Sequence, residues 1–152
     1  MVIAALDNGK LLFERQYRHP LQRVFLELPA GKIDPGETSL ECAVRETFEE
    51  LGVTAHDAVK RGELWFQFVD GLAMHVAVFL SWRHDGEATE TEEAAPLWTA
   101  IDAIPFEKMW ADDQHWLHRM LTGGESFMGR FIFDGDAMLS HDIVWDRLTV
   151  PS

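Results

Sequence analysis

The sequence has a single cysteine, no long apolar run and few basic residues. Because Cys42 stands alone among 152 residues, no disulfide can form within the chain, and we expect a reducing, cytoplasmic location. No apolar run approaches the roughly 20 residues that cross a membrane. The first residues show neither the basic start nor the cleavage site of a signal peptide. We therefore expect no membrane partner.

Acidic residues outnumber basic ones, with 26 Asp and Glu against 13 Lys and Arg, and the net charge is −13. Such a surface repels polyanions, which argues against a nucleic-acid polymer as partner. Solubility alone would explain the acidity. If the chain instead binds a phosphate compound, a divalent cation must bridge the two sets of negative charge.

Length and hydrophobic periodicity predict one α/β (α+β) domain over residues 1–152, with helices covering a mixed β-sheet. Alternating apolar residues predict strands at Val2–Leu6, Leu11–Tyr17, Arg23–Leu28, Leu64–Phe68, Met74–Trp82, Gly129–Asp134 and Met138–Trp145. Asn8-Gly9 predicts a hairpin turn between the first two. A helix is expected at Ser39–Leu51, between Thr38 and Gly52, and a shorter one after Asp112-Asp113.

The helix at Ser39–Leu51 separates two kinds of side chain. Its apolar or small residues form one stripe that is expected to pack on the sheet: Leu40, Ala43, Val44, Thr47, Phe48 and Leu51. Glu46, Glu49 and Glu50 fall on the opposite side, where like charges three and four residues apart repel one another. Either solvent and salt screen this repulsion, or a hard cation such as Mg²⁺ binds there.

The surrounding residues favour the cation. Five residues separate Gly31 from Glu37, and seven more precede Arg45-Glu46, which are followed by Glu49-Glu50 and Gly52. This 23-residue pattern, Gly31 to Val53, resembles the signature of the Nudix hydrolases. The one departure is Thr47, where that family usually has an aliphatic residue.

The resemblance implies the Nudix fold, a mixed sheet sandwiched between helices, and hydrolysis of a nucleoside diphosphate linked to another group. It implies that Glu46, Glu49 and Glu50 bind Mg²⁺ or Mn²⁺, together with the backbone carbonyl of Ala30 or Gly31. A glutamate of this set would take a proton from the attacking water. Arg45 would pair with Glu37 as structural support, and Gly52 would serve backbone geometry.

From Gly62 onward the chain resembles the MutT-like oxidised purine nucleoside triphosphatases (8-oxo-dGTP diphosphatases), in segments that include Gly62–Phe68, Ile104–Asp113 and Gly129–Phe133. That resemblance assigns base recognition to Trp110, Asp112 and Asp113. An indole stacks on purines, and of two adjacent carboxyl groups one can keep its proton and donate it. The alternative is that Asp112 only caps the following helix.

The first third of the chain resembles the ADP-ribose pyrophosphatases instead, through Arg15–Pro20 and Glu27–Glu37. In the purine family an Asn that contacts the base stands near the position of Glu27. The mixture of patterns suggests a chimeric chain. It keeps ADP-ribose hydrolysis to AMP and ribose 5-phosphate open as an alternative to purine triphosphate hydrolysis, and a catalytically silent nucleotide-binding module is a remoter one.

Three further residues are candidates for the site. Glu93, beyond the predicted helix, resembles a glutamate that supplies a metal ligand or the general base, although this stretch also reads as a solvated acidic loop. Lys32 and Arg15 are candidates for phosphate contact, or are simply solvated. We expect a nucleotide substrate and a monomer or small homo-oligomer.

Overall fold

The computed structural model describes residues 2–18, 22–91 and 94–147. Ten strands and two α-helices occur in these ranges. In chain order they are β1 Val2–Asp7, β2 Lys10–Arg18, β3 Arg23–Glu27, α1 Ser39–Leu51, β4 Thr54–His56, β5 Val59–Phe68, β6 Ala73–Ser81, β7 Arg83–Asp85, β8 Ala95–Ala100, α2 Asp113–Thr122, β9 Glu125–Asp134 and β10 Ala137–Arg147. A short 3₁₀ turn at Phe106–Lys108 precedes α2. No helix of the described part is long and apolar enough to cross a membrane.

The main sheet is mixed, as predicted. Its strand order is β10-β9-β5-β6-β1-β2-β3, and β8 pairs with β2. The pairs β1–β6 and β5–β9 are parallel, and the other pairs are antiparallel. The predicted β1–β2 turn is confirmed, because Asn8 and Gly9 both have positive φ, 51° and 75°, as a tight hairpin turn requires.

The two helices lie on opposite faces of the main sheet. Leu64 of β5 belongs to the core cluster that contains Trp116 and Leu117 of α2. Ala77, one residue beyond the register partner of Leu64, packs instead in a cluster with Ala43 of α1. Because successive strand residues point to opposite faces, the sheet is sandwiched between helices. The α+β prediction is therefore confirmed.

Helix α1 begins and ends as predicted, but its buried face differs from the predicted stripe. Thr38 accepts the Glu41 N–H at 3.1 Å, and Gly52 ends the helix with φ 77°. The stripe is wrong at two positions, because Leu40 and Phe48 are 41% and 56% exposed. Glu50 was expected on the solvent side, yet it is only 6% exposed. The buried face is thus rotated toward Glu50.

Three short strands were not predicted. Strands β4 and β7 pair only with each other, and β8 pairs with β2 through the register Glu14–Pro96. The acidic segment at His84–Ala95 was expected to be a loop, and its first residues form part of β7. Strands β4 and β7 have three residues each, which is too few to show a periodicity, and β8 has six residues that do not alternate between buried and exposed positions.

Candidate active site

Arg45 joins the loop before α1 to the carboxylates of that helix. Its Nε and Nη2 donate to the two oxygens of Glu37 at 2.8 and 3.0 Å. Its Nη1 donates to Glu46 Oε1 at 2.8 Å and to Glu49 Oε2 at 3.0 Å. Asp34 Oδ2 lies 3.4 Å from Arg45 Nη2. We call these five residues the Arg45 cluster: Asp34, Glu37, Arg45, Glu46 and Glu49. The predicted Arg45–Glu37 pair is present, and Arg45 also reaches two of the predicted metal ligands.

The electrostatics of the Arg45 cluster favour the ionised form of Glu37. Hydrogen bonds from Arg45, and then from the backbone N–H of Asp34, lower the pKa of Glu37 to about 2. The same contact with Glu37, followed by that with Glu46, raises the pKa of Arg45. The repulsion expected between glutamates one turn apart is therefore offset by a guanidinium in this structure.

Gly31 provides the space in which the Glu46 carboxyl group lies. A Cβ atom at Gly31 would fall 2.1 Å from Glu46 Cδ, so any other residue would force the carboxyl group away from the loop. The Gly31 carbonyl accepts the Cys42 thiol at 3.7 Å. Ala30 precedes it and is exposed. The loop backbone and the first predicted ligand are thus adjacent.

Glu50 lies away from the Arg45 cluster, against a buried carboxylate that sequence reasoning missed. Glu14 of β2 is 2% exposed and interacts with Glu50. Burial, the hydrogen bond with Glu50, and the charges of Glu50 and Glu27 raise the pKa of Glu14 to about 10. We call Glu14 and Glu50 the buried glutamate pair.

Glu27 was noted only as a departure from a family pattern, and the structure gives it a defined place. Arg18 donates from Nε and Nη2 to its two oxygens at 2.6 and 2.5 Å. The Glu27 charge helps to raise the pKa of both Glu14 and Asp113. Glu27 therefore lies close to both the buried glutamate pair and the predicted base-reading residues.

The donor set suits a hard divalent cation. The side chains and the Gly31 carbonyl offer oxygen atoms only, which are the ligands Mg²⁺ prefers, and Gly31 leaves room for Glu46. Within the described ranges, no three acidic, histidine or cysteine side chains converge as ligands. The reason is that Glu46 and Glu49 are directed at Arg45, whereas Glu50 lies with Glu14.

Trp110 lies beside the strand that carries Glu27. Its ring stacks on Phe25 with centroids 4.7 Å apart and an interplanar angle of 5°. Arg23 covers Phe25, with its guanidinium carbon 4.3 Å from the ring centroid. Trp110 is half-buried, so the ring is held rigidly with part of it accessible.

Asp112 and Asp113 form a buried aspartate pair at the start of α2. Asp112 makes no side-chain capping bond, so the alternative that it caps this helix is wrong. Instead its Oδ2 accepts the Trp116 indole N–H at 2.9 Å. Its own backbone is already helical, with φ −72° and ψ −31°, which turns the side chain away from the free N–H groups of the first turn.

One member of the buried aspartate pair keeps a proton. Burial raises the pKa of Asp112 to about 6, against the Trp116 hydrogen bond that lowers it. Burial, and then the Asp112 charge, raise the pKa of Asp113 well above its ordinary value. The hydrogen bond between the two carboxyl groups lowers the pKa of Asp112 and raises that of Asp113, so Asp113 is the donor of this bond and Asp112 the acceptor.

The structure gives fewer contacts for the three remaining predicted site residues, Glu93, Lys32 and Arg15. Glu93 lies outside the described residues, and its role stays a prediction. Lys32 and Arg15 have exposed side chains. A groove of about 560 Å³ lies elsewhere, along β5, β6, β9 and β10, and none of the predicted site residues lines it.

Comparison with known proteins gives a consistent result. The family model described as the NUDIX domain matches residues 1–120. An oxidized purine nucleoside triphosphate hydrolase from Danio rerio is 39% identical over 115 residues, which cover 74% of this chain and 73% of that protein. An ADP-ribose pyrophosphatase from Bacillus subtilis (strain 168) is 44% identical over 59 residues, 39% of this chain and 32% of that protein.

A solved structure of similar fold is that of a mutator MutT protein from Bacillus halodurans. Its TM-score is 0.81 at 23% identity, over 93% of this chain and 94% of that one. Since the similarity extends over nearly the whole chain, the two proteins share the arrangement of sheet and helices described above.

Proposed function

Because this chain belongs to the NUDIX domain family, we propose that it hydrolyses an oxidised purine nucleoside triphosphate, such as 8-oxo-dGTP, to the nucleoside monophosphate and pyrophosphate. The observation that carries this proposal is that the carboxylates suited to a cation lie near the residues proposed to bind the base. The carboxylates of α1 suit a cation that binds phosphates, and Glu27 lies close to both Glu14 of the buried glutamate pair and Asp113. The similarity to the Danio rerio hydrolase supports the same substrate class.

In this proposal the phosphates are held through a divalent cation, Mg²⁺ with Mn²⁺ as a substitute. Glu46, Glu49 and Glu50 hold it, with the Ala30 or Gly31 carbonyl and Glu93 as further ligands. When bound, such an ion polarises a phosphoryl group and lowers the pKa of a water molecule. Arg45 keeps the loop against α1 and orients Glu46 and Glu49.

Hydrolysis consumes one water and cleaves one anhydride bond. A carboxylate among Glu49, Glu50 and Glu93 takes the water proton, and the water oxygen joins phosphorus while pyrophosphate departs. Lys32 and Arg15 are proposed to contact phosphate, since both side chains are exposed cations in a chain of net charge −13.

The base would be read by Trp110 and the buried aspartate pair. One part of the Trp110 ring is occupied by Phe25, and the accessible part offers a stacking surface. Asp113 would donate a hydrogen bond to the base through its O–H group, and Asp112 would accept one through a carboxylate oxygen. A donor next to an acceptor suits purines that present both an N–H and a carbonyl oxygen on one edge.

A substrate panel tests the proposal. The protein is incubated with Mg²⁺ and 8-oxo-dGTP, dGTP or ADP-ribose, and the monophosphate and pyrophosphate are quantified by ion-exchange chromatography. We expect the highest kcat/KM with 8-oxo-dGTP. Rapid turnover of ADP-ribose alone would reverse the assignment.

ADP-ribose pyrophosphatase activity is the second candidate, with AMP and ribose 5-phosphate as products. It is favoured by the 44% identity to the Bacillus subtilis enzyme, although that match covers only 32% of that protein. The panel separates the two, because ADP-ribose yields AMP and no pyrophosphate. A parent protein that turns over none of the nucleotides would favour the silent binding module.

We further propose a cytoplasmic protein that acts as a monomer or small homo-oligomer on free nucleotides. The lone cysteine, which is buried, supports a reducing location. The strongly acidic composition supports free nucleotides over nucleic-acid polymers.

A further inference from the structure

Glu14 is a buried carboxylate to which the proposed function gives no role. It lies in the middle of β2, as the last of four consecutive buried residues, and is 2% exposed. Its Oε1 accepts the Gln16 amide N–H at 2.8 Å, whereas its Oε2 is buried and, among the described residues, has only the Glu50 carboxyl group against it. A buried acceptor in that state costs free energy, so its presence requires an explanation.

The neighbours of Glu14 increase the free-energy cost of burying its carboxyl group. Its register partner on β3 is Glu27, and like charges directly opposite one another destabilise a sheet. From α1 the Glu50 carboxyl group lies against it. The nearby cation, Arg18, uses two N–H groups on Glu27 and makes no ion pair with Glu14 among the described residues.

A side chain chosen for packing alone would be apolar at this position. Leu12 and Phe13, which precede Glu14 on the same strand, are fully buried, and a hydrophobic residue would fill the site without burying a second carboxyl group beside Glu50. The carboxylate lies instead beside Glu50, one of the oxygen donors proposed for the divalent cation. A divalent cation held by Glu50 would also balance a Glu14 carboxylate.

We propose that Glu14 is a further residue of the divalent-cation site, which places a carboxylate from the sheet beside Glu50 of the helix. This inference rests on the proposed function, because it assumes the cation at α1. Gln16 then acts as a positioning residue, since its amide N–H fixes one oxygen of Glu14 and leaves the other directed elsewhere. Ligands from both sheet and helix would hold the cation more firmly than α1 alone.

The test measures Mn²⁺ binding to the full chain by electron paramagnetic resonance, without nucleotide. The variant Glu14→Gln keeps the shape of the side chain and removes its ability to ionise toward a cation. We expect its dissociation constant for Mn²⁺ to rise about tenfold or more. The matched control is Glu41→Gln, an exposed residue of α1 outside the site, which should bind Mn²⁺ like the parent.

A second variant keeps the test valid if Glu14→Gln does not fold. Gln16→Ala removes the amide that orients Glu14 at a half-buried position and leaves the carboxylate in place. We expect Mn²⁺ binding to weaken by a smaller factor, about two- to fivefold, corresponding to loss of one hydrogen bond. Circular dichroism confirms the fold of each variant, and the rise in Tm on adding Mn²⁺ gives an independent readout.

The outcomes are distinct. Unchanged Mn²⁺ affinity in Glu14→Gln, even with a higher metal-free Tm, would identify a structural carboxyl group and overturn the inference. A parent that binds no Mn²⁺ would overturn both the inference and the proposed function. Weaker Mn²⁺ binding in Glu14→Gln, with a parent that hydrolyses no nucleotide, would support the inference and contradict the proposed function alone.

Discussion

Carboxyl groups meet in two kinds of environment in this chain, and their charge is balanced differently in each. The Arg45 cluster is half-exposed, and one guanidinium reaches three glutamates from its loop and helix. Within the part of the chain that the structure describes, Glu14, Asp112 and Asp113 form no ion pair with a basic side chain. There, burial and the neighbouring carboxyl group raise the pKa of Glu14 and of Asp113.

This difference in charge balance distinguishes residues that support the site from residues that can take part in its chemistry. A carboxylate held by arginine is ionised and fixed in place, which suits a residue that orients others. A buried carboxyl pair that has no ion pair with a basic side chain either holds a proton or can bind a cation. Carboxyl groups with such perturbed pKa values are concentrated at functional sites. Helix α1 contributes to both environments, because Glu46 and Glu49 face Arg45 while Glu50 faces the sheet.

Removing the charge of Glu50 should have the largest effect. In Glu50→Gln we expect kcat to fall about 10²–10⁴-fold, because a metal ligand or general base is lost. The fold should be retained or stabilised, since one of two adjacent buried carboxyl groups becomes neutral. Steady-state kinetics with 8-oxo-dGTP and thermal unfolding measure the two effects. The control, Glu41→Gln, should match the parent, and a parent-like kcat in Glu50→Gln would refute the assignment.

Replacing the cation of the Arg45 cluster should have the next largest effect. Arg45→Lys keeps the positive charge and loses the planar fork that reaches both Glu37 oxygens. We expect kcat/KM to fall about 10–100-fold, as for loss of residues that orient metal ligands. Arg45→Gln, which also removes the charge, should be worse. Equal rates for Arg45→Lys and the parent would mean that charge alone suffices.

The Arg45 cluster could be predicted because its members lie in one short stretch. Its five residues all fall within the 16 positions from Asp34 to Glu49, where loop and helix geometry brings them together locally. The spacing of these residues therefore predicts both that they contact one another and which chemistry they support. What the spacing does not carry is the direction of each carboxylate, which in this structure is set by Arg45.

The buried pairs could not be predicted in the same way. Glu14 and Glu50 are 36 positions apart, and their contact depends on how α1 packs against β2. A glutamate in the middle of a strand is ordinarily read as solvent-facing. The adjacency of Asp112 and Asp113 predicted that one of them keeps a proton, but the contact of Asp112 with Trp116, one turn later, was not predicted.

The proton of the buried aspartate pair gives the third prediction. The pKa of Asp113 is raised above its ordinary value of 3.8, so the folded state keeps a proton that the unfolded chain releases as the pH rises above about 4. Folding stability is thus lost as the pH rises through that range. Asp113→Asn does not titrate and still donates an N–H to Asp112.

We expect Asp113→Asn to gain stability relative to the parent as the pH rises from 4 toward 7, by at most about 1.4 kcal/mol per pH unit while the parent keeps its extra proton. Urea unfolding at each pH measures the difference. Asp112→Asn serves as the comparison, since the pKa of Asp112 rises only to about 6 and its gain should level off near that pH. A constant difference across the whole range would show that Asp113 is ionised in the folded protein.

The smallest effect is expected at the start of α1, and it separates helix stability from the Arg45 cluster. Thr38 accepts the Glu41 N–H at 3.1 Å, so Thr38→Ala should lower the free energy of unfolding by about 1 kcal/mol, and Thr38→Ser should restore it. Glu37 is held by Arg45 independently of this cap. The folded Thr38→Ala protein should therefore keep a kcat/KM within about twofold of the parent. A loss of rate as large as that in Arg45→Lys would mean that the cap positions the cluster, and that the orienting role belongs to the helix terminus rather than to the guanidinium.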